Sequence, residues 1–440
     1  MSVAIVSDNA VSTLASATGI GATSFTVPTG DGALFPSPGT LEHFLATIGP
    51  DEDNEVVRCT ARSGDTVTCD ALTATHAQGA RVMVSPNKAL FDELPRLIAV
   101  DLTLTVAPSG AMFATVPAAL SWLKNKLIAS DATVTIQIGD GTYSHAAPIV
   151  SDIPCADRVA IVGQNFYTRT FSSIQSGSGS AGNHLLVLNV SSTANVAVND
   201  YVLIYSASGG TNPQYLSGCH KVTEVDSANS RITINSYHQA AVQPSGSTSG
   251  TLYVVKAILS FTGCDGMQSG AKWWKLVDKL AMVGNGAIDT AGVRSVRSPI
   301  IVSAYAGSFG PANVGIANFR FGAYAEYSPP ITLHHVCLSK FPHSALYTAG
   351  GTVNANGCAV SGAVGSTFDA IYGGSGVFTT LGGRCLAGGI RSTGNYWYGG
   401  YADRYGYNYI AGATLVGNGN GTLSPAADIQ GNEYALNDSA

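Results

Sequence analysis

Between Thr115 and Leu127 the apolar positions Val116, Ala119, Leu120, Leu123 and Leu127 recur at the i, i+3, i+4, i+7 spacing that gathers them on one side of a helix. Thr115 supplies a cap, and Pro117 fits the first turn, where its missing N–H costs no hydrogen bond. The period then switches. Val134, Ile136 and Ile138 alternate with Thr133, Thr135 and Gln137, which predicts a strand with one face on a core. It runs into Gly139-Asp140-Gly141-Thr142-Tyr143, where Asp140 is a turn residue, and the chain is then Gly-rich and short-stranded to its end. One helix followed by rung after rung of short strands predicts a right-handed parallel β-helix. The helix acts as a lid over an apolar end that is otherwise an open sheet edge.

Three other regions change the pattern. Residues 1–88 read as a compact all-β domain, with short strands at 24–27, 43–48, 55–60 and 66–69 separated by Gly, Pro and Asp turn signals. Residues 89–110 form a linker into the β-helix at 111–421, and 422–440 a C-terminal tail. From 190 to 255 the segments 198–205, 220–226 and 231–234 alternate with tight turns as antiparallel hairpins do, predicting a small β-barrel-like insertion on one rung. Rungs resume at Leu280 and recur irregularly near Asn318, His335, Gly357, Arg384 and Thr414, a solenoid with variable turns. The fold class is all-β with one capping α-helix.

Composition narrows the class. With 51 Gly and 11% charged residues, the chain is neither a charged helical protein nor, at 45% hydrophobic residues, a disordered one. A net charge of −6 with no basic stripe gives no general affinity for nucleic acid or an anionic membrane surface. The N-terminus lacks a basic segment before an apolar run, so no secretory leader is expected, and no apolar stretch is long enough to insert into a membrane. The eight cysteines lie far apart, which is not a zinc spacing and predicts mostly buried, reduced thiols. Cys59 and Cys69 flank Ser63-Gly64-Asp65-Thr66 and face each other across a predicted hairpin, where a reducing cytosol opposes a disulfide at synthesis.

Two stretches carry a family likeness. Phe44-Leu45-Ala46-Thr47-Ile48, the hairpin from Asn54 to Thr68 and the closing His76-Ala77-Gln78-Gly79-Ala80-Arg81-Val82 form an edge strand, a hairpin and an H-x-x-G-x-x-V strand. This fifth of the chain resembles the N-terminal virion-attachment domains of bacteriophage tail fibres and tailspikes. Phe91-Asp92-Glu93-Leu94-Pro95 and Pro108-Ser109-Gly110 then bracket a connection into the β-helix entrance, the order found in tailspikes. The resemblance implies a virion protein made in the host cytoplasm. It joins a phage tail or portal-associated protein through residues 1–88 and binds a bacterial surface glycan.

Candidate chemistry is sparse. Tyr396-Trp397-Tyr398-Gly399-Gly400-Tyr401-Ala402-Asp403-Arg404-Tyr405-Gly406-Tyr407-Asn408-Tyr409 holds seven aromatics, too many for one narrow core, so several are exposed. Tyr396, Trp397, Tyr398, Tyr401, Tyr405 and Tyr407 are the expected glycan contacts, with a subunit interface and an ordinary lateral cover of the solenoid as the competing uses. A glycosidase needs two carboxylates across a sugar groove, and from Lys256 onward only nine carboxylates exist. Glu326, Asp369 and Asp403 are the catalytic candidates. Asp51, Glu52, Asp53 and Glu55 lack the Gly and distal Glu of a calcium loop and read as a solvated hairpin tip. His334 and His335 adjoin on a predicted strand and so point to opposite faces. Of Trp273 and Trp274, at least one belongs to the core or a subunit contact. No P-loop, dinucleotide Gly pattern, Ser-His-Asp arrangement or zinc spacing is present, so neither metal nor cofactor is expected. With few charges and many exposed aromatics the chain is expected to assemble as a homotrimer. The alternatives to a glycan-binding spike are a polysaccharide depolymerase on the same scaffold, a secreted lyase and a purely structural spike.

Overall fold

A computed structural model describes residues 3–4, 10–39, 42–49, 55–84, 96–180, 182–239, 243–287, 289–302, 313–363, 374–393, 395–396, 398–402, 404–409, 414–416, 429–431 and 436–438. The chain divides into two units, Met1–Arg96 and Leu97–Ala440.

The first unit is one 7-stranded sheet. The central Glu42–Ile48 pairs antiparallel with Glu55–Ser63 and Arg81–Val84. Phe25, Phe44, Ile48, Val67, Leu72 and Val82 fill its core. Glu55, the only described member of the acidic run, holds the loop that follows Cys69. Its Oε1 accepts from Thr73 N (2.6 Å) and Thr73 Oγ1 (2.8 Å), and its Oε2 from Ala74 N (3.2 Å) and His76 Nε2 (2.8 Å). Burial alone would raise this carboxyl, but those donors together hold it below its usual range. Glu55→Gln is therefore expected to destabilise the full-length protein by about 2 kcal/mol at pH 7. Because a lowered carboxyl stabilises only above its unfolded value, the difference between variant and parent should shrink as urea melts are moved below about pH 4.5.

In the second unit the helix Val116–Leu123 is capped by Thr115, whose Oγ1 accepts from Ala118 N at 3.3 Å. Val116, Ala119, Leu120 and Leu123 are buried beside Leu104, Val106 and Ile136 of the neighbouring strands. Leu127 departs from the helical reading: it lies in the strand Lys126–Ile128 and is 43% exposed. The strand predicted at Val134 is present as Val134–Ile138, paired parallel with Leu102–Val106 and Val159–Gly163. Tyr143, just past the turn, buries its ring and donates its hydroxyl to Val106 O (3.2 Å) and Gly139 O (3.1 Å).

From Leu280 onward the chain visits three parallel sheets in rotation. Val314–Ala317 belongs to the first, Phe321–Glu326 to the second and Ile331–His334 to the third, and Val336–Phe341 returns to the first. Each strand pairs in parallel with its counterpart one circuit later: Ile316 with Leu338, Leu338 with Val360, Leu346 with Val377 and Val353 with Cys385. These side chains form one continuous core. The interior becomes polar near the end, where Ser392 and Asn408 stand in register with Val360 and Cys385. Asn395 ties this end together, accepting from Ala363 N (3.1 Å) and donating to Ser392 Oγ (3.0 Å). Trp273 and Trp274 are both buried, and Trp273 Nε1 donates to Ile301 O at 2.6 Å. His335 is not a strand residue: it sits at a corner with φ 51°, so the opposite-faces argument does not apply to it.

The insertion expected at 190–255 begins earlier, at Phe166. The long strand Phe166–Ser180 pairs with Asn183–Val190 on one side and Ser249–Val255 on the other, which closes an antiparallel barrel around Leu186, Leu188, Val202, Val222, Ile232, Ile234 and Val254. The barrel lies on the outer face of the first sheet. Tyr201, Leu203, Cys219 and Val255 pack against Ile258, Ala281, Ala317, Cys337 and Ala359. Cys219 N donates to Ser339 Oγ (2.8 Å), and Tyr205 Oη to Gly389 O (2.8 Å). Buried on both faces, these first-sheet strands carry small apolar residues where an exposed face would be polar. At Gly218, with φ 140°, a Cβ would stand 2.2 Å from Ser339 Oγ and 2.5 Å from Ser361 Oγ. Gly218→Val should loosen the barrel at a cost of about 2 kcal/mol, read as faster proteolytic nicking between barrel and stack.

Candidate functional site

With the barrel over the first sheet, the outer faces of the second and third sheets and the corner between them remain for a ligand. The second sheet carries an aromatic ladder set by its register: Tyr324 pairs with Tyr347, Tyr347 with Phe378 and Phe378 with Tyr401. Ring centroids lie 5.1, 5.5 and 5.5 Å apart, with interplanar angles of 7°, 17° and 7°. The Arg294 guanidinium caps the lower end, 4.4 Å from the Tyr324 ring centre. Asp265 fixes that guanidinium, accepting from its Nε at 2.5 Å and its Nη2 at 3.2 Å, and also accepts from Gln268 Nε2 and Ala291 N, both at 2.6 Å. Tyr398 stacks on Tyr401 at 5.3 Å. Rings stacked this way cover each other's faces, so the ladder presents edges and hydroxyls outward and acts chiefly as a rib along the sheet.

Exposed ring faces lie at the next corner. Tyr327, Gly350, Leu381 and Arg404 close the second-sheet strands on successive circuits, and Tyr405, one residue further on, stands beside Gly382; the links are Tyr327 N to Ala349 O (2.8 Å), Gly350 N to Thr380 O (3.3 Å) and Gly382 N to Arg404 O (3.1 Å). Tyr327 and Tyr405 are 70% and 71% exposed, and Leu381 is 41% exposed. Tyr327 lies against Gly350, where a Cβ would stand 2.4 Å from its ring. All of these corner residues have left-handed backbone: φ is 43° at Tyr327, 64° at Gly350, 51° at Leu381, 45° at Arg404, 76° at Gly382 and 66° at Tyr405. Glycine takes that conformation at little cost, whereas each bulky residue sacrifices about 1 kcal/mol. Tyr327, Leu381 and Tyr405 thus place exposed bulky side chains at corner positions where Gly350 and Gly382 show that glycine serves. On the third sheet Ile301 and Leu386, 45% and 37% exposed, extend the apolar surface.

The aromatic run from Tyr396 to Tyr409 does not form one patch. Ala402 and Asn408 point into the core, and the described aromatics lie outside it. Tyr398 and Tyr401 join the ladder, Tyr405 takes the corner, and Tyr407 lies half-buried on the third sheet in register with Arg384. Tyr396 is half-buried and its N–H donates to Ala363 O at 2.8 Å. Trp397, Asp403 and Asp369 lie outside the described residues. Glu326 is exposed beside Tyr327 and accepts the Tyr324 hydroxyl. Burial, reinforced by that hydrogen bond, pushes the Tyr324 phenol well above its ordinary value. Asp289 is paired with Arg320 (2.5 Å), and Asp265 is held by Arg294. No group of three or more His, Cys, Asp or Glu suited to a metal ion occurs among the described residues. Tyr327 is the residue that sequence reading missed. Its only signal is an aromatic just ahead of Ser328-Pro329-Pro330, a turn in which Tyr gives no packing benefit.

These features define an all-β protein of stacked parallel sheets with a closed barrel on one face and an aromatic corner open to solvent. No protein-family model matches the chain, and no curated protein matches it. Among solved structures, the Gp54 tailspike of Acinetobacter baumannii bacteriophage AP22, in complex with A. baumannii capsular saccharide, is similar at a TM-score of 0.21 and 9% identity. That likeness covers 63% of this chain and 53% of the tailspike, so the chain spans about half the length of that protein. A glycoside hydrolase is similar at a TM-score of 0.20 and 9% identity, over 76% of this chain and 96% of the hydrolase. Both are too distant to bear on function.

Proposed function

We propose that the chain is a bacteriophage tailspike or tail-fibre protein that binds a bacterial surface polysaccharide along the corner from Tyr327 to Tyr405. The observation that carries this reading is the row of bulky, exposed residues in left-handed backbone, a stability cost that a partner outside the chain would offset. Tyr faces with an apolar body and a polar tip suit the C–H faces and hydroxyls of sugars. In this reading the three-sheet stack is a right-handed parallel β-helix, the chain assembles as a homotrimer, and residues 1–88 attach it to a phage tail or portal-associated protein. Removing those residues should leave a glycan-binding trimer that no longer enters virions, and light scattering should give three chains per particle.

Cleavage is the second reading, favoured by one observation: Glu326 lies immediately beside Tyr327, held by the Tyr324 hydroxyl. Full-length protein incubated with extracted bacterial surface polysaccharides tests both. Binding without new reducing ends supports a receptor-binding spike, and release of reducing ends that Glu326→Gln abolishes supports a depolymerase. Absence of binding to any extract would favour a purely structural spike.

A further inference from the structure

Cys59 and Cys69 lie in the core of the first unit, 0% and 5% exposed, both as thiols. They stand directly opposite each other on neighbouring antiparallel strands. The backbone identifies the kind of pair. Asp70 N donates to Arg58 O at 2.9 Å, and Cys69 N donates to Thr23 O at 2.9 Å instead of to Cys59. This is the non-hydrogen-bonded pairing, in which facing Cα atoms approach to about 4.5 Å, inside the span of roughly 4.4 to 6.8 Å that a disulfide bridges. No other two of the eight cysteines are register partners on adjacent strands: Cys219 faces Leu203, Cys337 faces Ala359, and Cys385 faces Val353 and Asn408.

We propose that Cys59 and Cys69 form a cross-strand disulfide that locks the Glu55–Ser63 and Thr66–Cys69 hairpin once the protein leaves a reducing compartment, with a small-molecule disulfide as oxidant. One thiolate attacks oxidised glutathione and expels one glutathione thiolate; the other cysteine then attacks the mixed disulfide and expels the second. Two S–H bonds are lost, one S–S bond forms, and one glutathione disulfide is reduced to two thiols. Burial, reinforced by Asp70 and Glu55, pushes the Cys69 thiol up to about 11, and burial raises Cys59 further. The closed hairpin therefore holds little thiolate, and reaction waits on opening of the short Thr66–Cys69 strand. The lock is slow to form and slow to reverse, as suits a protein that leaves its reducing compartment once.

Peptide mass spectrometry on full-length protein tests this, after incubation with oxidised glutathione and also after refolding in its presence. The expected result is a linked peptide joining Cys59 to Cys69, loss of two of eight thiols, and a thermal midpoint for the first unit about 5 °C higher that dithiothreitol reverses. Cys59→Ser and Cys69→Ser should each lose both the linkage and the oxidant-dependent shift. Failure to find the linked peptide even after refolding with the oxidant overturns the proposal, as does a linked protein that melts below its reduced form.

Discussion

Acidifying the protein from pH 7 to pH 4 is expected to remove about 3 kcal/mol of stability from the Leu97–Ala440 unit through His220 alone. This histidine is fully buried where the barrel meets the first sheet, and its Nε2 donates to Leu216 O at 2.9 Å. Burial pushes its pKa down from the usual 6.5 to about 4, more than the Leu216 and Asn235 hydrogen bonds raise it. The folded protein therefore binds its proton later than the unfolded chain does. The stabilisation is complete above pH 6.5 and is lost as pH falls through 6.5 toward 4. His145, also lowered by burial and stacked on Phe261 at 5.0 Å, adds in the same direction. Urea melts at a series of pH values should show this slope, and His220→Gln should flatten it. A slope that persists unchanged in the variant would place the acid sensitivity elsewhere.

Much of the architecture was legible in the sequence where one residue pattern had one structural meaning. The i, i+3, i+4 run from Val116, the Thr115 cap and the period-2 alternation from Val134 all appear as read. Leu127 shares the helical spacing by coincidence: the helix ends at Leu123, and a turn at Lys124 and Asn125 leads into the strand Lys126–Ile128. The start of the barrel was hidden for a different reason. Two register shifts, between Phe171 and Ser173 and between Ile174 and Ser176, break the alternation of Phe166–Ser180, and its Ser-Gly end reads as linker. Antiparallel closure then depends on Phe166 meeting Val255, a contact that no local pattern encodes.

The candidate site was half legible. Crowding in Tyr396–Tyr409 correctly implies that aromatics must lie outside the core, since Ala402 and Asn408 take the inward positions there. What the run cannot reveal is that Tyr401 falls in register with Phe378, Tyr347 and Tyr324, because a cross-circuit column depends on loop lengths between strands. Equally, the left-handed φ of Tyr327 and Tyr405 follows from corner geometry and has no residue signature when the residue is not glycine.

The claim that the corner binds glycan is tested most directly by Tyr327→Ala combined with Tyr405→Ala. Both residues are about 70% exposed, so their removal opens no cavity, and replacement at left-handed positions leaves the backbone demand unchanged. Each stacked ring contributes about 1 kcal/mol to a sugar contact, so losing two should weaken affinity at least tenfold. Isothermal titration of a bacterial surface polysaccharide bound by the parent protein gives the answer, with the thermal midpoint measured alongside. The expected result is a tenfold or greater rise in Kd with an unchanged melt; an unchanged Kd in a normally folded double variant would contradict the assignment of the corner as the glycan site.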